Sequence, residues 1–184
     1  NIGVIDKAGV NIPEYEVVPP EYVKPFTEIL RKEGYYCANN FKCDYQFNAP
    51  FTAWDEVSSS VSFRDAPKDK PFFYVWNTLI THESRIWERS NEPLTVDPDE
   101  VIIPDYFPDI PEVRMDIARK YSNIEAMDKQ VGELISQLES DGLLEKTIIM
   151  FWSDHGGNLL RQKRAVGNSG LHVPLIVRYP GKLK

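Results

Sequence analysis

The chain has 184 residues and a mass of 21.2 kDa, with 42% hydrophobic and 12% aromatic residues. This length and composition suit one buried core, exclude extensive disorder and do not require a second domain. Lysine and arginine number 21 against 28 aspartate and glutamate, and the net charge of -7 argues against nucleic-acid binding through bulk electrostatics. Any anion that this protein binds must therefore meet a local cluster of positive charge.

The cysteine content and the first residues of the chain are the features that bear on the cellular compartment. Two cysteines, Cys37 and Cys43, are too few for a disulfide framework or a four-cysteine zinc site. A single disulfide between these two cysteines stays an open alternative. No apolar stretch approaches the roughly 20 residues of a membrane-spanning helix. The chain starts at Asn1 with neither an initiator methionine nor a basic-then-apolar leader, so we expect a processed chain or a fragment and infer no compartment.

The first half of the chain predicts one helix and two strands. Residues 1–20 are rich in proline, which predicts an extended loop. Apolar residues recur at helical spacing over Tyr22–Lys32, and Gly34 predicts the helix end. Tyr35–Ala38 and the continuously apolar Phe72–Asn77 predict strands, with a loop and a short helix between them.

The second half predicts a long helix and two more strands. Residues 91–111 contain five prolines and predict a long surface loop. An apolar stripe from Glu112 to Ser140 predicts the longest helix. Thr147–Ser153 is expected to be a fully buried strand, and Leu175–Tyr179 another strand. The alternation indicates an α/β fold with a mainly parallel sheet flanked by helices.

Polar residues that follow these strands are candidate site residues, because ligands of open parallel sheets bind beyond the carboxyl ends of the strands. Asp154 and His155 follow the Thr147 strand and offer an oxygen and a nitrogen ligand side by side. Gly156 and Gly157 allow the backbone to turn tightly enough to direct both at one ion. The alternative is an ordinary turn in which Asp154 caps a helix. The position of Asp154 and His155 after a strand, and the ligand chemistry of their side chains, favour the metal site over the capping turn.

Other strand ends carry a histidine and two lysines. His82, after the Phe72 strand, suits proton donation to a leaving group or a hydrogen bond to an anion, although a structural histidine is the alternative. Lys42, after the Tyr35 strand, and Lys163, in the basic run 161–164, suit neutralisation of a tetrahedral anion. Taken alone, each lysine is typical of a solvated surface side chain. We expect positions 42, 82, 154 and 163 to meet at one electropositive hollow.

These segments together resemble the type I, formylglycine-dependent sulfatases of the alkaline phosphatase superfamily. The resemblance runs from about residue 18 to the end. It is carried by several motifs in order: residues 34–45, 81–84, 121–138, 153–156, 161–164 and 168–182. It implies an alkaline-phosphatase-like α/β fold, in which residues 1–184 are the central and C-terminal part of the catalytic domain.

The resemblance also implies an activity, the hydrolysis of a sulfate ester or sulfamate in a sulfated small molecule or glycan. It implies a divalent cation, usually Ca²⁺, with Asp154 and His155 as metal ligands. Lys42 and Lys163 would bind sulfate oxygens, and His82 would contact the sulfate or protonate the leaving group. Neither a nucleic-acid partner nor a membrane span is implied, and relatives of this kind are periplasmic, secreted or lysosomal.

Three departures from the family pattern matter. Many relatives have asparagine in place of His155, which leaves Zn²⁺ or Mn²⁺ as alternatives to Ca²⁺, and many have histidine in place of Asp44. No proline is followed two positions later by arginine, so the Cys/Ser-x-Pro-x-Arg nucleophile motif is absent, and neither Cys37 nor Cys43 has its flanking residues. We expect the nucleophile and the paired acidic metal ligands upstream of Asn1, and the 184 residues alone to be inactive.

Two alternatives to a sulfatase stay open. One is a phosphodiesterase or phosphonate hydrolase of the same superfamily, since sulfate and phosphate need similar pockets and an Asp-His pair also suits zinc. The other is a non-catalytic anion-binding module. Calcium favours the sulfatase and two zinc ions favour the phosphodiesterase. The sequence leaves the substrate and the oligomeric state undetermined.

Overall fold

A computed structural model describes residues 17–43, 45 and 47–182. The chain divides into two compact units, with the boundary after Asn77. Most of the predicted N-terminal loop, residues 1–16, and the departure at Asp44 lie outside the described residues. Among the described helices, none is long and apolar enough to cross a membrane.

A parallel three-stranded sheet forms the centre of the first unit. Strand β1 (Tyr36–Asn39) lies between β2 (Glu56–Val57) and β3 (Phe72–Val75), and all pairings are parallel. Cys37 and Ala38 of β1 are completely buried. The strand predictions at 35–38 and 72–77 are confirmed to within two residues at each end, and β2 is an additional short strand. Helices and a parallel sheet together confirm the predicted α/β class.

Helix α1 (Phe26–Lys32) begins four residues later than the predicted Tyr22. Pro25 occupies the N-cap with an extended ψ of 135°, and a proline disfavours helical backbone at the residue before it. The helix ends as predicted. Gly34 adopts a φ of +91° and its N–H donates to the carbonyl of Arg31, a helix end that glycine allows at little cost.

The second unit combines a long helix with an antiparallel strand pair. Its longest element is α3 (Pro111–Ser140), which matches the predicted helix to within one residue. The other elements are short: α2 (Arg85–Glu88), β4 (Ile149–Trp152), α4 (Asn168–Leu171) and β5 (Leu175–Arg178). Strands β4 and β5 pair antiparallel, with Trp152 opposite Leu175.

The prediction of a fully buried strand at Thr147–Ser153 is wrong. Side chains of β4 alternate between half-buried and exposed, and Met150 and Trp152 are 54% and 55% exposed. An antiparallel pair commonly packs on one face only. A continuous apolar run shows that both faces tolerate burial, but it does not specify how many neighbouring layers cover them.

Residues 91–110 form no helix or strand, yet they pack onto α3. Val101 joins Ile117 and Ala118 in a buried cluster. The buried Arg119 side chain donates to the backbone carbonyls of Ser90, Glu92 and Pro93. These bonds satisfy carbonyls that a strand or helix would otherwise pair, so the segment is ordered against the helix without regular structure.

Candidate active site

The loop after β4 places the predicted metal ligands side by side. His155 Nδ1 donates to the Gly156 carbonyl at 2.7 Å, which leaves Nε2 as the acceptor nitrogen of a neutral ring. This Nε2 lies 3.7 Å from Asp154 Oδ1. Both side chains are partly exposed, at 37% and 57%. The loop therefore presents one nitrogen and one oxygen donor in the same place.

The two glycines that follow are closely packed, Gly156 against backbone and Gly157 against side chains. An alanine Cβ at Gly156 would overlap the carbonyl oxygen of Ser169, and one at Gly157 would overlap the side-chain oxygen of Gln162. The Gly156 N–H donates to the Gly170 carbonyl at 2.8 Å, and the Lys163 N–H donates to the Gly157 carbonyl at 2.8 Å. The loop after β4 is thus packed directly against residues 162–170.

The donor pair fits part of a divalent cation site. A carboxylate oxygen and an imidazole nitrogen suit Zn²⁺ or Mn²⁺, and the carboxylate alone suits Ca²⁺. Among the described residues, no group of three or more histidine, cysteine, aspartate or glutamate side chains is placed to hold a metal ion. A cation bound by Asp154 and His155 would therefore need further ligands to complete its coordination shell.

His82 and Lys163 are brought together although 81 positions separate them in the sequence. Lys163 Nζ lies 3.2 Å from His82 Nε2. A lysine ammonium can only donate, so Nε2 accepts from Lys163. On the other side of the ring, Nδ1 lies 3.2 Å from Ser84 Oγ and accepts from the Ser84 backbone N–H at 3.3 Å. The Asn158 side chain donates to the carbonyl of Thr81 at 3.3 Å, which ties the loop after β4 to the turn that holds His82.

Glu83 joins the two cationic residues of this cluster. Its carboxylate accepts from Lys163 Nζ at 3.1 Å and from both terminal nitrogens of Arg164, at 3.1 and 2.9 Å. The Arg164 hydrogen bonds are the largest cause that lowers the pKa of Glu83 to about 2; desolvation opposes them, and the Lys163 hydrogen bond adds to the lowering. Glu83 stands next to His82, and that adjacency was the sequence signal that could have identified it.

The basic run 161–164 is a bent loop whose side chains differ in burial. Gln162 is buried and bonds to Tyr106 and Lys120, at 3.2 and 3.1 Å. Arg161 and Arg164 adopt left-handed φ values of 63° and 68°, which residues with a Cβ rarely do. The loop is therefore held by its contacts rather than by local preference.

Lys42 belongs to the first unit, at the end of β1. Its carbonyl accepts from the side chain of the buried Asn39 at 2.9 Å. Asn77 donates to Asn39 at 3.0 Å through its side chain and to Asn40 at 2.9 Å through its backbone. This asparagine network shapes the strand end that carries Lys42, while the sulfate contact of Lys42 stays a prediction.

Comparisons with known proteins identify the family of this chain. The family model described as Sulfatase matches residues 30–184. The chain belongs to the sulfatase family.

Named relatives are also sulfatases. An ulvan-active sulfatase of Formosa agariphila is 42% identical over 94% of this chain and 35% of its own length. Human N-sulphoglucosamine sulphohydrolase is 32% identical over 48% of this chain and 18% of its own length. A solved structure from work on glycosaminoglycan metabolism by Bacteroides thetaiotaomicron is 21% identical, with a TM-score of 0.46, and the match covers 64% of this chain and 26% of that chain. The chain spans about a third or less of the length of these relatives.

Proposed function

We propose that the protein hydrolyses sulfate esters or sulfamates, and that these 184 residues hold part of its active site. The observation that carries the proposal is the 3.2 Å approach of Lys163 Nζ to His82 Nε2. The sulfatase resemblance gives sulfate-binding roles to both residues independently of that distance. The 42% identity with an ulvan-active sulfatase supports a sulfated polysaccharide as the substrate class.

The proposed chemistry divides between charge stabilisation and proton transfer. Lys163 would bind a sulfate oxygen and offset the negative charge that develops in the transition state, and the sulfatase resemblance gives the same role to Lys42. His82 in its protonated form would give its proton to the leaving-group oxygen as the sulfur–oxygen bond breaks, which removes the need to expel an alkoxide. Asp154 and His155 would hold the divalent cation, which polarises the sulfate when bound.

The nucleophile is proposed to come from residues outside these 184. Cys37 is completely buried, and desolvation raises the pKa of its thiol to about 11, so it forms little reactive thiolate near neutral pH. Cys43 Sγ accepts from the Asn39 side chain at 3.1 Å. Neither cysteine lies in the formylglycine motif. The isolated chain should therefore lack turnover, whereas the full-length protein should have it.

An activity assay tests this proposal. Full-length protein is compared with the isolated chain on an aryl sulfate, a sulfated polysaccharide, a phosphodiester and a phosphonate. His82→Gln in the full-length protein should lower sulfate turnover by about 10²–10⁴-fold. Lys146→Met, which removes an exposed lysine of the same unit, is the control. Turnover by the isolated chain would refute the partial-site proposal. Preference for phosphate substrates with two bound zinc ions would favour a phosphodiesterase, and anion binding without turnover would favour a non-catalytic module.

Metal binding is tested separately by calorimetric titration of metal-stripped full-length protein with Ca²⁺, Zn²⁺ and Mn²⁺. Asp154→Asn should weaken binding of the resident cation at least tenfold, because it removes a charged oxygen ligand. The matched control is Asp128→Asn, which neutralises an exposed carboxylate on α3. Equal affinities of the two variants would refute the role of Asp154.

A further inference from the structure

We infer that Glu83 is a positioning residue of the proposed sulfate site, and that its carboxylate holds Lys163 at His82. This inference rests on the proposed function, because the pair that Glu83 organises is the pair given the sulfate-binding role. Glu83 itself would not touch the substrate. It would act through Lys163 and Arg164.

Both oxygens of the Glu83 carboxylate accept hydrogen bonds. Its Oε1 accepts from Lys163 and from Arg164, and its Oε2 accepts from the second terminal nitrogen of Arg164. The Glu83 and Lys163 side chains are only 21% and 19% exposed, whereas Arg164 is 72% exposed. A two-pronged guanidinium bond to a shielded carboxylate is stronger and more directional than an open surface ion pair.

The backbone of the basic run needs such an anchor. Arg164 carries a φ of 68°, a conformation that costs free energy for a residue with a Cβ. Its guanidinium is the group that binds Glu83, so the carboxylate bonds the same residue that bears the strain. Lys163 precedes Arg164 directly, and its position depends on that backbone geometry.

Charge balance gives a second reason. Lys163 and Arg164 bring two positive charges to one place, and the Glu83 carboxylate contacts both of them. Without it, repulsion favours the movement of the flexible Lys163 side chain into water. The low pKa of Glu83 keeps the carboxylate ionised throughout the neutral range.

The first readout is steady-state turnover of an aryl sulfate by the full-length protein. Glu83→Gln should lower kcat by about 10–100-fold, the usual cost of losing a residue that orients a site from outside it, with a smaller change in KM. Glu83→Asp should restore part of the loss. The control Glu88→Gln breaks a neighbouring ion pair with Arg85 that does not include Lys163, and it should stay within twofold of wild type.

The second readout does not depend on activity. In ¹⁵N-histidine spectra of the same proteins, the His82 Nε2 signal of Glu83→Gln should move to its position in Lys163→Met, and Glu88→Gln should keep the wild-type signal. If Glu83→Gln does not fold, Glu83→Asp and Arg164→Met give the same test with smaller shifts. A wild-type His82 signal in the Glu83 variants overturns the inference. Wild-type protein without sulfate turnover overturns the proposed function, while the spectra still decide whether Glu83 holds Lys163.

Discussion

Replacing Gly156 by alanine should displace the loop that carries Asp154 and His155. The added Cβ would overlap the Ser169 carbonyl oxygen and lie 2.8 Å from the carbonyl carbon, inside the 3.0 Å that real Cβ atoms keep. The obstacle is backbone rather than a flexible side chain, so the loop itself has to move, by roughly 1 Å. Overpacking of this kind costs about 1–3 kcal/mol of stability, and a shift of this size at a site costs about 10²-fold in rate.

Gly167→Ala is the matched control for Gly156→Ala. Gly167 lies in the same segment, its φ is -82°, and nothing lies within 4 Å of a Cβ placed there. Urea unfolding of the two full-length variants should show a loss of about 1–3 kcal/mol for Gly156→Ala and a change within about 0.5 kcal/mol for Gly167→Ala. Sulfate turnover should fall only in the first. Equal stability and turnover of the two variants would refute the close packing of this loop against residues 169–170.

Three further predictions concern ionisation, reactivity and burial. The Glu83 carboxylate has a folded pKa of about 2 against an ordinary 4.5, so its ion pairs stabilise the fold above about pH 4.5 and lose that effect as the pH falls towards 2. The stability difference between wild type and Glu83→Gln, about 1–2 kcal/mol at pH 7, should therefore shrink as the pH falls from 4.5 to 2 in urea titrations, and a difference that is unchanged at pH 2 would contradict the assignment. Iodoacetamide at pH 8 should label the half-buried Cys43 well before the buried Cys37, as peptide mass spectrometry would show, whereas equal labelling would count against the burial of Cys37. Asn39→Ala should cost about 1–3 kcal/mol, because it removes the side-chain donor to the carbonyl of Lys42 and one of the two acceptors of the Asn77 side chain; the exposed Asn91→Ala is the control, and equal unfolding midpoints would rule out the network.

Local sequence determined most of the secondary structure. The apolar period of residues 112–140 is a property of that segment alone, and α3 follows it from Pro111 to Ser140. Gly34 ended its helix because a positive φ is a preference of the residue itself. The error at the start of α1 also has a local cause, since Pro25 excludes helical backbone before it and outweighs the apolar spacing from Tyr22.

Part of the candidate site could also be predicted from the sequence. Asp154 and His155 are neighbours in the chain, so their joint presentation needed only a turn after β4. Lys163 and His82 were separately recognisable from their strand ends and from the sulfatase resemblance. The sulfate contact of Lys42 remains a prediction from that resemblance.

Only the tertiary structure decided which distant side chains meet. The approach of Lys163 to His82 across 81 positions, and the bond of Glu83 to both Lys163 and Arg164, depend on how the loop after β4 folds back. The exposure of Met150 and Trp152 likewise depends on which layers cover β4. The physical reason is common to these cases: hydrophobic period and backbone preference act within a few residues, whereas ion pairing and burial are set by contacts that exist only once the chain has folded.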